Sequence, residues 1–233
     1  MPPAFRLLLL VPALAGAGAA QAAERAYSVT SFDRIAVEGP YQVLFQTGPQ
    51  ASARASGSAA ALDRLTISVE DNMLRIRPSQ SGWGGWPGAD QGKVTVLVRG
   101  PGLRRAALSG SGTLAIDRMR GEEARLALTG SGELSVAAVQ ATRVALSVSG
   151  SGTLTAAGKA LQARAMLTGS GEIRAGGLAA AEAEVTTVGS GDVAMSASRT
   201  ARVNLTGSGD VAVAGRARCQ VTRTGSGDVR CGG

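Results

Sequence analysis

Between residues 101 and 233, apolar side chains alternate with polar ones on both sides of a recurring Gly-Ser-Gly triplet. Two residues after successive triplets stand Leu114, Leu134, Leu154, Ile173, Val193, Val211 and Val229. Four residues after stand Ile116, Val136, Ala156, Ala175, Met195, Val213 and Cys231. Two before them stand Leu108, Leu128, Val148, Leu167, Thr187, Leu205 and Arg223. Such alternation is the period of a strand with one buried face. Each unit therefore reads as strand, glycine turn, strand and a shorter connection.

The triplets recur at intervals of 20, 20, 19, 20, 18 and 18 residues. Their glycines are Gly110 and Gly112, Gly130 and Gly132, Gly150 and Gly152, Gly169 and Gly171, Gly189 and Gly191, Gly207 and Gly209, and Gly225 and Gly227. A single unit of this length cannot bury its own apolar stripe, whereas stacked units bury it continuously. The expected fold is all-β: a single-stranded parallel β-helix, or solenoid, of about seven regular 18–20-residue coils. Strand twist favours right-handed coils. Two glycines per turn suit a corner that needs positive φ and close backbone stacking.

Residues 27–100 are less regular and read as opening coils that share the same core, with a loop over residues 79–91. Ile35–Phe45 has the strand–glycine–strand look of the later units, and Asp71-Asn72 joins two alternating runs as a hairpin turn would. Residues 23–233 are thus expected to form one domain. Residues 1–22 have the plan of a secretory signal: Arg6, an apolar stretch from Leu7 to Leu14, then Ala20-Gln21-Ala22 as a cleavage site. No later apolar run reaches the length of a membrane span. The protein is expected to be exported, to the periplasm or the cell surface. There Cys219 and Cys231, both on inward-facing positions, would form a disulfide closing the last coil.

Composition narrows the chemistry. With no histidine among 233 residues, a Ser-His-Asp triad, a Cys-His dyad and imidazole metal ligation are all excluded. Only 3% of residues are aromatic, so the core must consist of Ala, Val, Leu and Ile. The net charge is +7, but without a basic run nucleic acid is not an expected partner.

The opening Phe32-Asp-Arg-Ile-Ala-Val-Glu-Gly, the segment Val69-Glu-Asp-Asn-Met-Leu-Arg-Ile and the serial Leu-Thr-Gly-Ser-Gly-Asp/Glu-Val/Leu units resemble a bacterial family. This family is the putative auto-transporter adhesin, head GIN domain, and the resemblance covers roughly residues 28–230. It implies an exported β-helical protein with an adhesive role.

Candidate binding residues follow from the pattern. Arg105, Arg125, Arg164 and Arg202 lie five residues before their turns and form a discontinuous outward strip. Guanidinium forks there could bind an anionic envelope polymer, or they could simply keep the face solvated. Trp83 and Trp86, in a glycine-rich loop, could stack on a sugar, insert into a partner or fold back as a lid. Asp192, Asp210 and Asp228 follow the last three complete turns in one outward column. That column reads as a solvated turn edge, with calcium binding as the alternative. Paired carboxylates on neighbouring coils can also serve a glycosidase. Here they repeat like scaffold and lack flanking aromatics, so no enzyme activity and no cofactor are expected. The function expected is that of a monomeric, non-catalytic envelope or surface protein that binds a polymer or protein. A carbohydrate-active enzyme and a calcium-stabilised structural module are the alternatives.

Overall fold

A computed structural model describes residues 23–79 and 93–232. The expected leader 1–22, both tryptophans and the loop beyond Ser79 lie outside the described residues. The strands of the N-terminal part are β1 (Ala23–Tyr27), β2 (Arg34–Glu38), β3 (Gln42–Thr47), β4 (Ser52–Gly57), β5 (Leu65–Glu70), β6 (Met73–Pro78) and β7 (Thr95–Gly100). One short helix, α1 (Ala59–Asp63), precedes β5. The repeats supply β8 (Arg105–Gly110), β9 (Thr113–Gly130), β10 (Glu133–Gly150), β11 (Thr153–Gly169), β12 (Glu172–Gly189) and β13 (Asp192–Gly207). The last coil is β14 (Val211–Ala214) and β15 (Arg218–Thr224), and β16 (Val229–Cys231) begins the next.

From β8 onward every pairing is parallel, and equivalent residues of adjacent coils face one another. The chain is a parallel β-solenoid. Seven glycine corners delimit six complete coils, rather than the seven expected, because corners outnumber the coils between them by one. Register slips between Val136 and Val139, and again beyond Ala175, absorb the shortening from 20 to 19 and to 18 residues. Both slips lie on the side of the coil away from the glycine corner.

Inward positions stack like on like. Leu114 lies beside Leu134, Leu134 beside Leu154, Leu154 beside Ile173, and so to Val193, Val211 and Val229. Nearly all of these side chains are fully buried, in one continuous apolar cluster running from Phe32 to Val213. Thr187 is the one buried polar side chain among the described residues, and its hydroxyl has no partner. In the last coil Arg223 stands over Leu205 where the column would place another apolar group. Among the described residues no further rung covers it, and its guanidinium turns outward, donates to the Gly227 carbonyl at 3.0 Å and stays half exposed.

Glycine at the corners is a steric requirement. The carbonyl of the first glycine accepts two N–H groups from the next coil: Gly110 O from Ser131 and Gly132, and Gly130 O from Ser151 and Gly152. The second glycine's carbonyl accepts the following residue, as Glu133 N–H donates to Gly112 O at 2.9 Å. A Cβ on Gly132 would stand 2.4 Å from the Gly112 oxygen, and one on Gly150 2.5 Å from that of Gly130. Gly150 also has φ +122°, outside the range that L side chains favour.

The column starts one rung before the repeats. Gly39, at φ +108°, donates to the Ser109 carbonyl at 2.8 Å, and Tyr41 O accepts from Thr113 N–H. The strands on either side of this corner, β2 and β3, pair in parallel with β8 and β9. On their other side they pair in parallel with β6 and β7. The first rung in sequence is thus the second in the stack, a departure from coils laid down in chain order. Antiparallel strands then close the end: β5 on β6 through the Asp71-Asn72 turn, with φ of 50° and 59°, and β4 with β1 on β7. Leu62 and Leu65 bury against the exposed core end, and Arg25 with Asp63 and Arg54 with Glu24 place charges on the outermost strands. Such covering blunts an edge that would otherwise recruit another chain.

The corner geometry yields a direct expectation. Gly150→Ala adds unfavourable φ and a backbone clash, and should cost about 2–5 kcal/mol in urea unfolding. Gly176→Ala, where an added Cβ meets nothing within 4 Å, should be neutral or slightly stabilising.

Candidate functional site

Outward side chains two residues apart on one strand stand roughly 7 Å from each other and leave a trough over the inward residue between them. Where that inward residue is alanine, the trough is deep. Ala163, Ala183 and Ala201 form such a floor across β11, β12 and β13. The walls are two register columns. One runs Gln162, Glu182, Thr200 and Arg218, and the other Arg164, Glu184, Arg202 and Gln220. The trough encloses about 460 Å³ and is open to solvent.

Its charges are unevenly compensated. At the β11–β12 end, Arg164 Nε donates to Glu184 at 2.6 Å and Gln162 Nε2 to Glu182 at 3.0 Å. Arg199 also reaches Glu182, at 3.2 Å. At the β13–β15 end, the one partner of Arg202 among the described residues is the neutral Gln220 carbonyl oxygen, at 3.3 Å. Arg218 makes no ion pair or hydrogen bond among the described residues. Two guanidinium groups and the Thr200 hydroxyl therefore converge on one end of the trough without a carboxylate of their own.

The arginine strip expected from the sequence is one register column. Arg105 pairs across the sheet with Arg125 and with Arg34, while Ala145 and Glu184 interrupt the series before Arg164 and Arg202. It is not uniformly cationic. Arg125 Nε donates to Glu123 at 2.8 Å, and this hydrogen bond holds the Glu123 carboxyl below its usual range. Arg105 makes no ion pair among the described residues but lies apart from the trough. Arg218, Thr200 and Gln220 had no distinguishing signal in the sequence. They are single polar residues, and only the register brings them beside Arg202.

The aspartate column has a structural role. Asp210 N–H donates to Asp192 Oδ1 and Asp228 N–H to Asp210 Oδ1, each at 2.9 Å. In the longer coils the corresponding N–H bonds a glycine carbonyl below it. In the 18-residue coils a carboxylate takes that place, while Val193 N–H bonds Asp210 O and Val211 N–H bonds Asp228 O. Arg230 and Arg223 lie 3.3 and 3.9 Å from the last carboxylate, that of Asp228. No group of three His, Cys, Asp or Glu side chains converges as a metal site among the described residues. Cys219 and Cys231 stand with sulfurs at bonding distance and Cα atoms 6.4 Å apart, tying β15 to β16.

A parallel solenoid with a stacked glycine corner and an outward polar trough defines a repeat-built β-scaffold. The chain belongs to the family described as putative auto-transporter adhesin, head GIN domain, whose sequence model matches residues 31–217. Solved structures share the fold. A putative adhesin from Bacteroides fragilis superposes with TM-score 0.82 at 18% identity, covering 91% of this chain and 97% of its own. A putative lipid binding protein from Parabacteroides distasonis gives 0.71 at 20%, covering 90% and 96%. A putative adhesin from Parabacteroides merdae gives 0.70 at 19%, covering 92% and 97%. No match is found among curated proteins. No helix among the described residues is long and apolar enough to cross a membrane.

The carboxylate ladder predicts that Asp192→Ala, which strands the Asp210 N–H, lowers stability by about 1–2 kcal/mol. Asp192→Asn keeps an acceptor oxygen and should cost less than half as much. Thermal melts of the two variants at neutral pH provide the comparison.

Proposed function

We propose that this protein is an exported, non-catalytic attachment protein that holds a negatively charged envelope polymer in the alanine-floored trough. The observation that carries this reading is the pair Arg202 and Arg218, which face the same trough end without a carboxylate partner among the described residues. Carboxylate, phosphate or sulfate groups accept forked hydrogen bonds from guanidinium, and such charge-assisted bonds are about twice as strong as neutral ones. Thr200 and Gln220 offer hydroxyl and amide partners to the sugar or backbone between anionic groups. The ion pairs at the other end fix Arg164 and Glu184 as a rigid wall instead of a second anion site. Catalysis is not part of the reading, because the carboxylates of the trough are engaged by Arg164, Gln162 and Arg199. The expected tryptophan contacts of Trp83 and Trp86 fall outside the described residues and are not needed by it.

Polygalacturonate, with neutral dextran as control, provides the test in a biosensor assay. Wild type should bind the polyanion, more weakly as salt rises, because exposed charge pairs are screened. Arg202→Ala/Arg218→Ala should weaken binding at least tenfold, since each lost charge-assisted bond is worth about 1.5–3 kcal/mol. Arg125→Ala, whose guanidinium is occupied by Glu123, should weaken it less than twofold. Absence of polyanion binding, binding indifferent to the double substitution, or release of sugars from the polymer would each overturn the proposal.

A further inference from the structure

A second groove runs along the glycine corner, on a different edge of the solenoid. Ser111, Ser131 and Ser151 line one wall, and Thr113, Glu133 and Thr153 the other. The second glycine of each triplet forms the floor, and the groove encloses about 370 Å³. The floor is bare for the steric reason already given: a Cβ at Gly132 or Gly152 would meet a carbonyl oxygen at 2.4–2.5 Å. Rung packing has thus created a trough that no side chain can fill.

The groove's chemistry is set by what remains unspent. The N–H groups of Ser131, Gly132 and Glu133 are all used on the Gly110 and Gly112 carbonyls. Those of Ser151, Gly152 and Thr153 are used in the same way on Gly130 and Gly132, so the backbone of these two rungs offers no anion-binding nest. Arg174, at the groove's end, is clamped by both oxygens of Glu172, at 2.7 and 2.6 Å. What faces the groove is a double row of hydroxyls around one carboxylate. The Glu133 carboxylate makes no ion pair or hydrogen bond among the described residues, only a longer-range attraction to Arg174, and its register neighbours on both sides are Thr113 and Thr153. An anion would be repelled by this carboxylate. A calcium ion would find one carboxylate where such ions require several among six to eight oxygens. A neutral, hydroxyl-rich chain fits both constraints, because a carboxylate accepts two neighbouring hydroxyls while serines and threonines donate and accept in turn. The rungs lie about 4.8 Å apart, so an extended glycan running along the column would set roughly one sugar ring on each rung.

We infer that the groove of Ser111, Ser131, Ser151, Thr113, Glu133 and Thr153 is a binding site for an extended neutral glycan, with Glu133 as its central acceptor. This site is separate from the arginine trough and does not depend on the function proposed there. Contact with hydroxyls and no aromatic platform makes each rung's contribution small, so binding grows with the number of sugars engaged.

The test uses ¹⁵N-labelled protein titrated with cellohexaose, mannohexaose, chitohexaose and maltohexaose. At least one hexasaccharide should shift the amide resonances of residues 111–113, 131–133 and 151–153, and its disaccharide should bind at least tenfold more weakly. Glu133→Ala should weaken the hexasaccharide at least fivefold and Ser131→Ala/Ser151→Ala at least threefold, with melting temperatures unchanged because these side chains are solvent-facing. Glu133→Gln, which retains an acceptor oxygen, should fall between wild type and Glu133→Ala. Lys159→Ala, on the side away from the corner, should bind as wild type does. No binding of any of the four, shifts confined to other faces, or affinity indifferent to Glu133→Ala would overturn the inference. So would calcium chloride alone producing the same shifts.

Discussion

Everything in this molecule depends on how closely one backbone can approach the next at the glycine corner. Parallel rungs repeat at about 4.8 Å, and at the corner the chain turns so sharply that each Cα points at the carbonyl beneath it. A hydrogen atom fits there and a methyl group does not, as the 2.4 Å between an imagined Cβ of Gly132 and the Gly112 oxygen makes plain. Once the corners are locked, the flanking strands are forced into register. Leucine then lies over leucine, and the two long walls close over a core almost free of aromatic rings. The same constraint shapes the exterior, because the bare corner leaves a groove and the fixed register lines up outward side chains in columns.

Those columns convert a repetitive sequence into a differentiated surface. Where carboxylate and guanidinium fall on neighbouring rungs, as Glu184 and Arg164 do, they neutralise one another. Where the repeat breaks, charge is left over. Arg202 and Arg218 are such a remainder, and so is Glu133 between two threonines. Exposed ion pairs contribute little to stability. Their consequence here is selective: they remove Arg125 and Arg164 from use as a binding surface and leave two small, chemically opposite sites. The short coils near the C-terminus use another device, the aspartate ladder, in which a carboxylate accepts the N–H that a glycine carbonyl accepts in the longer coils.

The repeat made the C-terminal two-thirds of the fold legible in the sequence. Periodic glycines and alternating Leu, Val and Ile specify strand, corner and inward parity without reference to distant residues. Arg223 at the last inward position and the Cys219–Cys231 pair could be read in the same way, as deviations from a column. The N-terminal rungs were less legible, because their stacking order differs from their order in the chain. Only long-range pairing reveals that β2 and β3 lie between β6–β7 and β8–β9. The trough was legible in part. Arg164 and Arg202 stand out by spacing, whereas Thr200 reaches Glu182 only through the register slip beyond Ala175, and Arg218 reaches Thr200 only through the pairing of β15 with β13. Whether an arginine is free or already paired depends on rotamers and rung neighbours, which composition does not encode.

Distances between the corner serines test the stacked column most directly. Ser111, Ser190, Ser208 and Ser226 face solvent, so pairs of them can be replaced by cysteine and spin-labelled while Cys219 and Cys231 remain bonded to each other. Four, five and six rungs separate Ser111 from the other three, and electron–electron dipolar spectroscopy should return about 19, 24 and 29 Å, an increment of about 4.8 Å per corner. Distances that fail to grow by one rung per triplet would contradict the parallel, in-register column on which the fold and both sites rest.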